Sequence, residues 1–220
     1  VITDERAPDA LAGGSRRART RQQLLDAALH VITSIGVQDS SVERITDHAR
    51  LTRGAFYSNF RSKDHFLRTL VRRENDARLD ALRQLVAAAQ HTIVVRGEDL
   101  EHEDFAATVV EVVVGSVDSW PSCILASELE VLAARDSSFA SLHHDFRVEL
   151  HRSIEEIVAA SLTQRGQVCA LDLALCSRLI LSVLRDSIRS SMLHNTPIGL
   201  ALDRARLDLA QVMGALIRPA

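Results

Sequence analysis

Cysteine is scarce in this chain of 220 residues: Cys123, Cys169 and Cys176 form an odd set with no metal-like spacing. Such a set excludes a disulfide-stapled scaffold and reads as free thiols in a reducing compartment, the cytoplasm. Lysine occurs once, at Lys63, against 25 arginines, and aromatics make up only 4% of the residues. That imbalance fits a high-GC coding bias, in which Val1 would be a GTG start, although a trimmed N-terminus fits equally well. No apolar run approaches the ~20 residues that cross a bilayer, so no membrane partner is expected. The opening stretch "VITDERAPDALAGGS" lacks an apolar segment behind a positive start, and no secretory signal is expected. No G-x-S-x-G, phosphate-loop or dinucleotide fingerprint is found, so the chain is not expected to be an enzyme or to carry a cofactor. What remains is an ordinary globular composition, 46% hydrophobic and 25% charged. Its length suffices for one large domain or two small ones.

The formal net charge of −3 conceals a division along the chain. Residues 15–75 carry twelve Lys and Arg against six Asp and Glu, a net +6, whereas residues 76–220 carry −7 and the first fourteen −2. A basic segment joined to an acidic body points to a polyanion that touches one end only.

Residues 1–15 read as a disordered tail of mixed charge and small residues. Beyond it the pattern is helical almost throughout. "TRQQLLDAALHVITSIG" sets Leu24, Leu25, Ala28, Val31, Ile32 and Ile35 at helical spacing, and Gly36 stands where a helix-ending glycine belongs. Ser40 with Glu43 fits a capping box for a short helix over 41–49. Thr52 caps a third helix ending near Asn59, and Ser62 caps a long fourth helix reaching about residue 90. A loop is expected over 91–104, and further helices over 104–118, 121–135, 138–165, 170–195 and 199–217, about nine in all. "VVEVVVGSV" is β-branched enough to be a strand, but its helical neighbourhood favours a helix. No repeat period is present.

Helices two and three, joined by a tight turn and backed by helix one, have the arrangement of a helix-turn-helix DNA reader. On helix three, Phe56 and Phe60 share a face that can close a small core with Ile45, Ala49 and Leu51. Arg53 and Tyr57 lie on another face and would present a guanidinium and a phenol outward. Gly54 sits where a helix former is expected, since glycine costs ~1 kcal/mol against alanine in a helix. A missing side chain there makes sense if another surface must approach the backbone. Lys63 could reach a phosphate as a point charge. "SRRARTR", with Arg17 and Arg19, is either an arm for the minor groove or a basic tail adding salt-sensitive affinity.

The stretch "TRQQLLDAALHVITSIGVQDSSVERITDHARLTRGAFYSNFRSKDHFLRTLV", Thr20 to Val71, resembles the N-terminal domain of the TetR/AcrR family of bacterial transcriptional regulators. Its "GAFYSNFRSKD" run is far more specific than generic helix-turn-helix spacing. The resemblance implies an all-α fold: a three-helix DNA-binding domain, here residues 16–65, followed by a larger ligand-binding and dimerisation domain, 66–220. It implies phosphate contacts from Ser40, Ser41, Tyr57 and Lys63, base contacts from Thr52, Arg53 and Gly54, and Asn59 near the DNA backbone. The chain departs from the family where Leu51-Thr52-Arg53 replaces a common Val-Ser-Lys and Asn59 a common His. Arg53 can grip guanine O6 and N7 through two hydrogen bonds, which lysine does less well, so operator sequence cannot be inherited.

By the same resemblance the last two helices form a homodimer interface, with Leu179, Val183, Leu184, Leu209, Val212 and Met213 on it. A broad apolar band there exceeds what one core contact needs, although either helix could instead be buried within the monomer. A small-molecule pocket is expected among helices four to eight, with Phe105, Trp120, Cys123, Phe139, His143, Phe146 and Met192 as candidates; plain core remains the alternative for each. Few aromatics and much Val, Leu and Ala point to an apolar ligand selected by shape. His143, His144 and His151 lie near Asp145 and Glu149, but two-turn spacing is not that of a metal pair, and no metal is expected. The reading is a ligand-responsive repressor on a palindromic operator. An activator or ligand-independent binder of the same family is the runner-up, and a small helical enzyme or scaffold without DNA affinity the reading from another class.

Overall fold

The computed structural model describes residues 8–96, 102–117, 119–164 and 166–219. Among these the chain forms nine helices, α1 (Pro8–Asp39), α2 (Val42–His48), α3 (Arg53–Asn59), α4 (Lys63–Arg96), α5 (His102–Gly115), α6 (Trp120–Arg135), α7 (Ser137–Gln164), α8 (Leu173–Leu193) and α9 (Ile198–Leu216). Two three-residue strands, β1 (Gln167–Cys169) and β2 (Ile217–Pro219), pair antiparallel with Cys169 opposite Ile217. The fold is all-α, with that ribbon as its one extended element among the described residues.

Residues 1–7 of the expected tail lie outside the described residues, but α1 starts at Pro8, inside that tail. Proline suits the opening turn because its missing N–H would have no helical partner there. Gly36 interrupts α1 at φ 82°, ψ 163°, a conformation essentially confined to glycine, which marks the break anticipated at this residue. Most of the expected 91–104 loop is taken up by the end of α4 and the start of α5, and residues 97–101 lie outside the described ones. The β-branched stretch is helical, as α5. Val109, Val110, Val112, Val113 and Val114 are all buried, so burial on several sides outweighs strand propensity.

The chain divides into two compact units. The first comprises the chain up to Glu74 together with Ile124–Ala140, so it extends past residue 65 and takes in most of α6 and the start of α7. The second comprises Asn75–Cys123 and the chain from Ser141. In the first unit Leu24, Ala28 and Ile32 of α1, Ile45 of α2, Phe56 of α3 and Phe66 of α4 are fully or almost fully buried. In the second, α5 packs with Ile154, Ile157 and Val158 of α7, Ile180 of α8 and Leu209 of α9. Ala201 and Ala205, four apart on α9 and without exposed surface, hold a small-residue face inside this cluster.

Three phenylalanine rings close the first core. Phe56 lies 5.6 Å from Phe60 and 5.0 Å from Phe66, centroid to centroid, and Phe60 meets Phe66 edge-on at 4.7 Å. Each side chain is at most 1% exposed. Phe56→Ala is expected to destabilise the protein by about 3–5 kcal/mol, measurable as a lowered urea midpoint in circular dichroism of the full chain.

Candidate nucleic-acid interface

The interface begins with how α2 and α3 are capped. Ser41, not Ser40, caps α2: its hydroxyl accepts the Arg44 N–H at 3.2 Å. At the other end of α2 the chain turns through Arg50, held in the left-handed region at φ 54°, while the Leu51 N–H returns to the Thr46 carbonyl at 2.9 Å. Thr52 then caps α3 by accepting the Ala55 N–H at 3.1 Å. Both caps sit in extended backbone and relieve otherwise unpaired N–H groups of the first turn. Ser62 does the same for α4, accepting the His65 N–H at 3.0 Å.

With Phe56 and Phe60 anchored inward, the other side of α3 faces outward. Thr52, Arg53, Gly54 and Tyr57 are exposed, Tyr57 to 51%, with its ring edge against Phe56. A Cβ placed on Gly54 would meet only the Thr52 hydroxyl, at 3.6 Å, so nothing in the fold requires glycine there. Arg53 Nη1 lies 2.7 Å from Glu43 Oε1 across the two helices. The Glu43 carboxyl is held below its ordinary range, first by a hydrogen bond to its own backbone N–H, then by Ser41, and further by the charges of Arg53 and Lys63. Lys63 is half-buried, its Nζ 3.5 Å from the Val37 carbonyl, and burial lowers its pKa against the opposing pull of Glu43.

Two residues expected at the DNA surface are elsewhere. Ser40 has no exposed surface and donates its hydroxyl to the Val37 carbonyl at 2.6 Å, leaving Ser41 as the accessible serine of the pair. Asn59 is only 8% exposed; three residues beyond Phe56, it shares that inward face, and its Nδ2 donates to the Ala55 carbonyl at 2.8 Å. Arg17 and Arg19 are exposed, but in α1 rather than in an extended arm. Arg17 donates to the Ser58 carbonyl at 3.2 Å. One turn on, Arg21 donates to the Asn59 carbonyl at 3.1 Å and lies 4.4 Å from the Phe60 ring centre. Two guanidiniums from α1 thus cover the C-terminal carbonyls of α3.

Arg21, Glu43 and Glu128 are not among the sequence-based candidates. The four-residue spacing of Arg17 and Arg21 is a legible signal. Glu128 has none, since it acts across 91 positions: from α6, within the first unit, its Oε2 accepts the Val37 N–H at 2.9 Å. The same carboxylate lies against the Cα side of Gly36, where a Cβ would come 3.4 Å from it.

Among the ligand-pocket candidates, Trp120, Cys123 and Met192 pack, partly buried, against the apolar cluster of the second unit. His143 and Phe146 are half-buried, and the side chain of Phe105 lies outside the described residues. Phe139 belongs to the first unit, 4% exposed beneath the Arg68 guanidinium. His151 bonds Ser177 Oγ at 3.1 Å and Arg147 at 3.3 Å rather than joining the other histidines. Among the described residues no three His, Cys, Asp or Glu groups converge as a metal site would require.

The dimerisation candidates divide. Leu184, Leu209 and Met213 are buried in the monomer's own core, because the inner half of the apolar band packs α8 and α9 together with α5. Val183 and Val212 are half-buried. The outward apolar surface consists of Leu179 (36% exposed), Leu193 (80%), Leu200 (60%) and Leu207 (68%), the last two seven residues apart on one face of α9.

Comparison with known proteins bears on this geometry. Residues 24–70 match the model of the bacterial regulatory proteins of the tetR family. The chain is 32% identical over 97 residues, 43% of its length and 72% of the relative's, to the uncharacterized HTH-type transcriptional regulator TtgW of a Pseudomonas putida strain. It is 28% identical over 180 residues to the HTH-type transcriptional regulator SrpR of Pseudomonas putida, covering 78% of this chain and 76% of that one. A transcriptional regulator from Saccharomonospora viridis, solved in complex with choline, has the same fold at a TM-score of 0.70 and 14% identity, over 91% of this chain and 99% of that one. No single helix among the described residues is long and apolar enough to cross a membrane.

The exposed glycine of α3 generates a test. Gly54→Ala is expected to stabilise the fold by up to ~1 kcal/mol in thermal unfolding, through helix propensity. If duplex DNA approaches the backbone at this exposed position, the same variant is expected to bind it more weakly in fluorescence anisotropy, because the methyl occupies space that is now open.

Proposed function

The chain belongs to the TetR/AcrR family of transcriptional regulators, and on that premise we propose that it is a ligand-responsive repressor binding a palindromic operator as a homodimer. The observation that carries the DNA-binding part is the outward side of α3. There Thr52, Arg53, Gly54 and Tyr57 are exposed together while Phe56, Asn59 and Phe60 fix the opposite side in the core. In this reading the first unit is the DNA-binding domain. Arg53 reads a guanine edge, while Ser41, Tyr57, Lys63 and the exposed arginines of α1 hold phosphates.

The second unit is the effector-binding and dimerisation domain. Pairing through the Leu179, Leu193, Leu200 and Leu207 face would bury large exposed apolar groups. Closed twofold symmetry then presents two copies of α3 to half-sites about one helical turn apart, ~34 Å. The apolar cluster flanked by Trp120, Cys123 and Met192 favours a largely apolar effector, and the choline complex of the Saccharomonospora protein supports small-molecule control in this fold. The long α4, which carries Lys63 at its start and runs into the second unit, is the lever. A decisive switch needs a preference of ~5 kcal/mol for one conformer.

Selection of bound duplexes from a random pool, with and without lipophilic cationic and neutral compounds, tests the whole reading. An enriched inverted repeat, lost on addition of one compound, is expected; no retention of any duplex at low ionic strength overturns it. Arg53→Ala is expected to cost ~1–3 kcal/mol on the selected site and to relax the preference at one base pair. Lys63→Ala is expected to weaken selected and scrambled duplexes alike and to reduce the salt slope by about one. Leu207→Glu is expected to shift the protein from dimer to monomer in sedimentation equilibrium, since an ionised carboxylate cannot be buried unpaired at an apolar contact.

A further inference from the structure

An acidic side chain stands beside two of the cations just described. Glu43, in the first turn of α2, lies 2.7 Å from Arg53 Nη1, and the charge of Lys63 also acts on it. Both members of the pair are substantially exposed, Arg53 to 60% and Glu43 to 49%. In water such a pair adds little to the stability of the fold, so stability alone gives no reason for it. A carboxylate facing a duplex also repels the phosphates.

We propose that Glu43 is a specificity-determining residue that positions Arg53 for guanine and penalises duplexes that offer none. The inference rests on the DNA-binding reading above. A guanidinium has five N–H donors in a rigid fork. One edge can stay on Glu43 while two parallel donors on the other engage guanine O6 and N7, so the carboxylate remains paired when water leaves the interface. At a site without guanine, two outcomes are open to Arg53. It stays on Glu43 and reads nothing, or it leaves for a phosphate and strands a carboxylate beside the backbone. Either outcome raises the free energy of wrong complexes, and discrimination comes from that repulsion as much as from the new contact.

The test uses the full chain and the duplex selected from the random pool. Anisotropy titrations at two salt concentrations compare wild type, Glu43→Gln, Arg53→Ala and the double variant, on selected and scrambled duplexes. Glu43→Gln is expected to bind the scrambled duplex about three- to tenfold more tightly, since one repulsive charge is removed. Its selected-to-scrambled ratio is expected to fall about tenfold, one guanine contact's worth of discrimination. In the Arg53→Ala background the same change is expected to leave the ratio unaltered. Misfolding would weaken binding to both duplexes, opposite in sign to the gain expected on the scrambled one, and the melting curve of each variant checks it independently. An unchanged ratio in Glu43→Gln, with wild-type binding intact, overturns the role of Glu43 and leaves the DNA-binding reading standing. A wild type that binds no duplex overturns both.

Discussion

A helix of seven residues cannot sustain itself in water, and α3 exists because its neighbours hold it. Isolated helices below about 12–15 residues are marginal even with favourable sequences. Here the burial of Phe56 and Phe60 against Phe66 supplies what propensity does not, and the Thr52 cap and the arginines of α1 satisfy the two ends. The exposed side of α3 is therefore free to be chosen for recognition. That division of labour permits a glycine at position 54 and a cluster of charged and hydroxyl groups with no role in the core.

The electrostatics follow from the same arrangement. Three elements, α1, α3 and the start of α4, supply cations, and each cation rests on a different kind of acceptor. Arg17 and Arg21 rest on helix-terminal carbonyls, where the α3 dipole favours positive charge. Lys63 rests on the Val37 carbonyl and Arg53 on Glu43. Four of the basic side chains of residues 15–75 are thus anchored separately, each on its own acceptor.

Local chemistry is legible in the sequence, and its limits are equally physical. The caps at Thr52 and Ser62 and the break at Gly36 depend on a few adjacent residues, and all three stand where the sequence indicates. The choice between Ser40 and Ser41 depends on which one tertiary packing buries, and neighbouring serines are interchangeable in a pattern. The family resemblance puts Asn59 on the DNA side, whereas helical spacing from Phe56 puts it inward, and the periodicity is the better guide there. The apolar band of α8 and α9 reveals its breadth but not which half faces α5. The β1–β2 ribbon, three residues on each side and separated by two helices, leaves no local trace. Glu128 on Val37 is of the same kind, a contact fixed by the fold and invisible to spacing.

Both backbone polar groups of Val37 are committed. Its N–H goes to Glu128, and its carbonyl takes the Ser40 hydroxyl and the Lys63 ammonium, beside a glycine whose backbone angles few residues can reproduce. Such a junction behaves as a rivet rather than a hinge. Bending between α1 and α2 would have to break several bonds together, so small distortions are resisted. A force applied to α2 is therefore passed on to α1 rather than absorbed where the two meet.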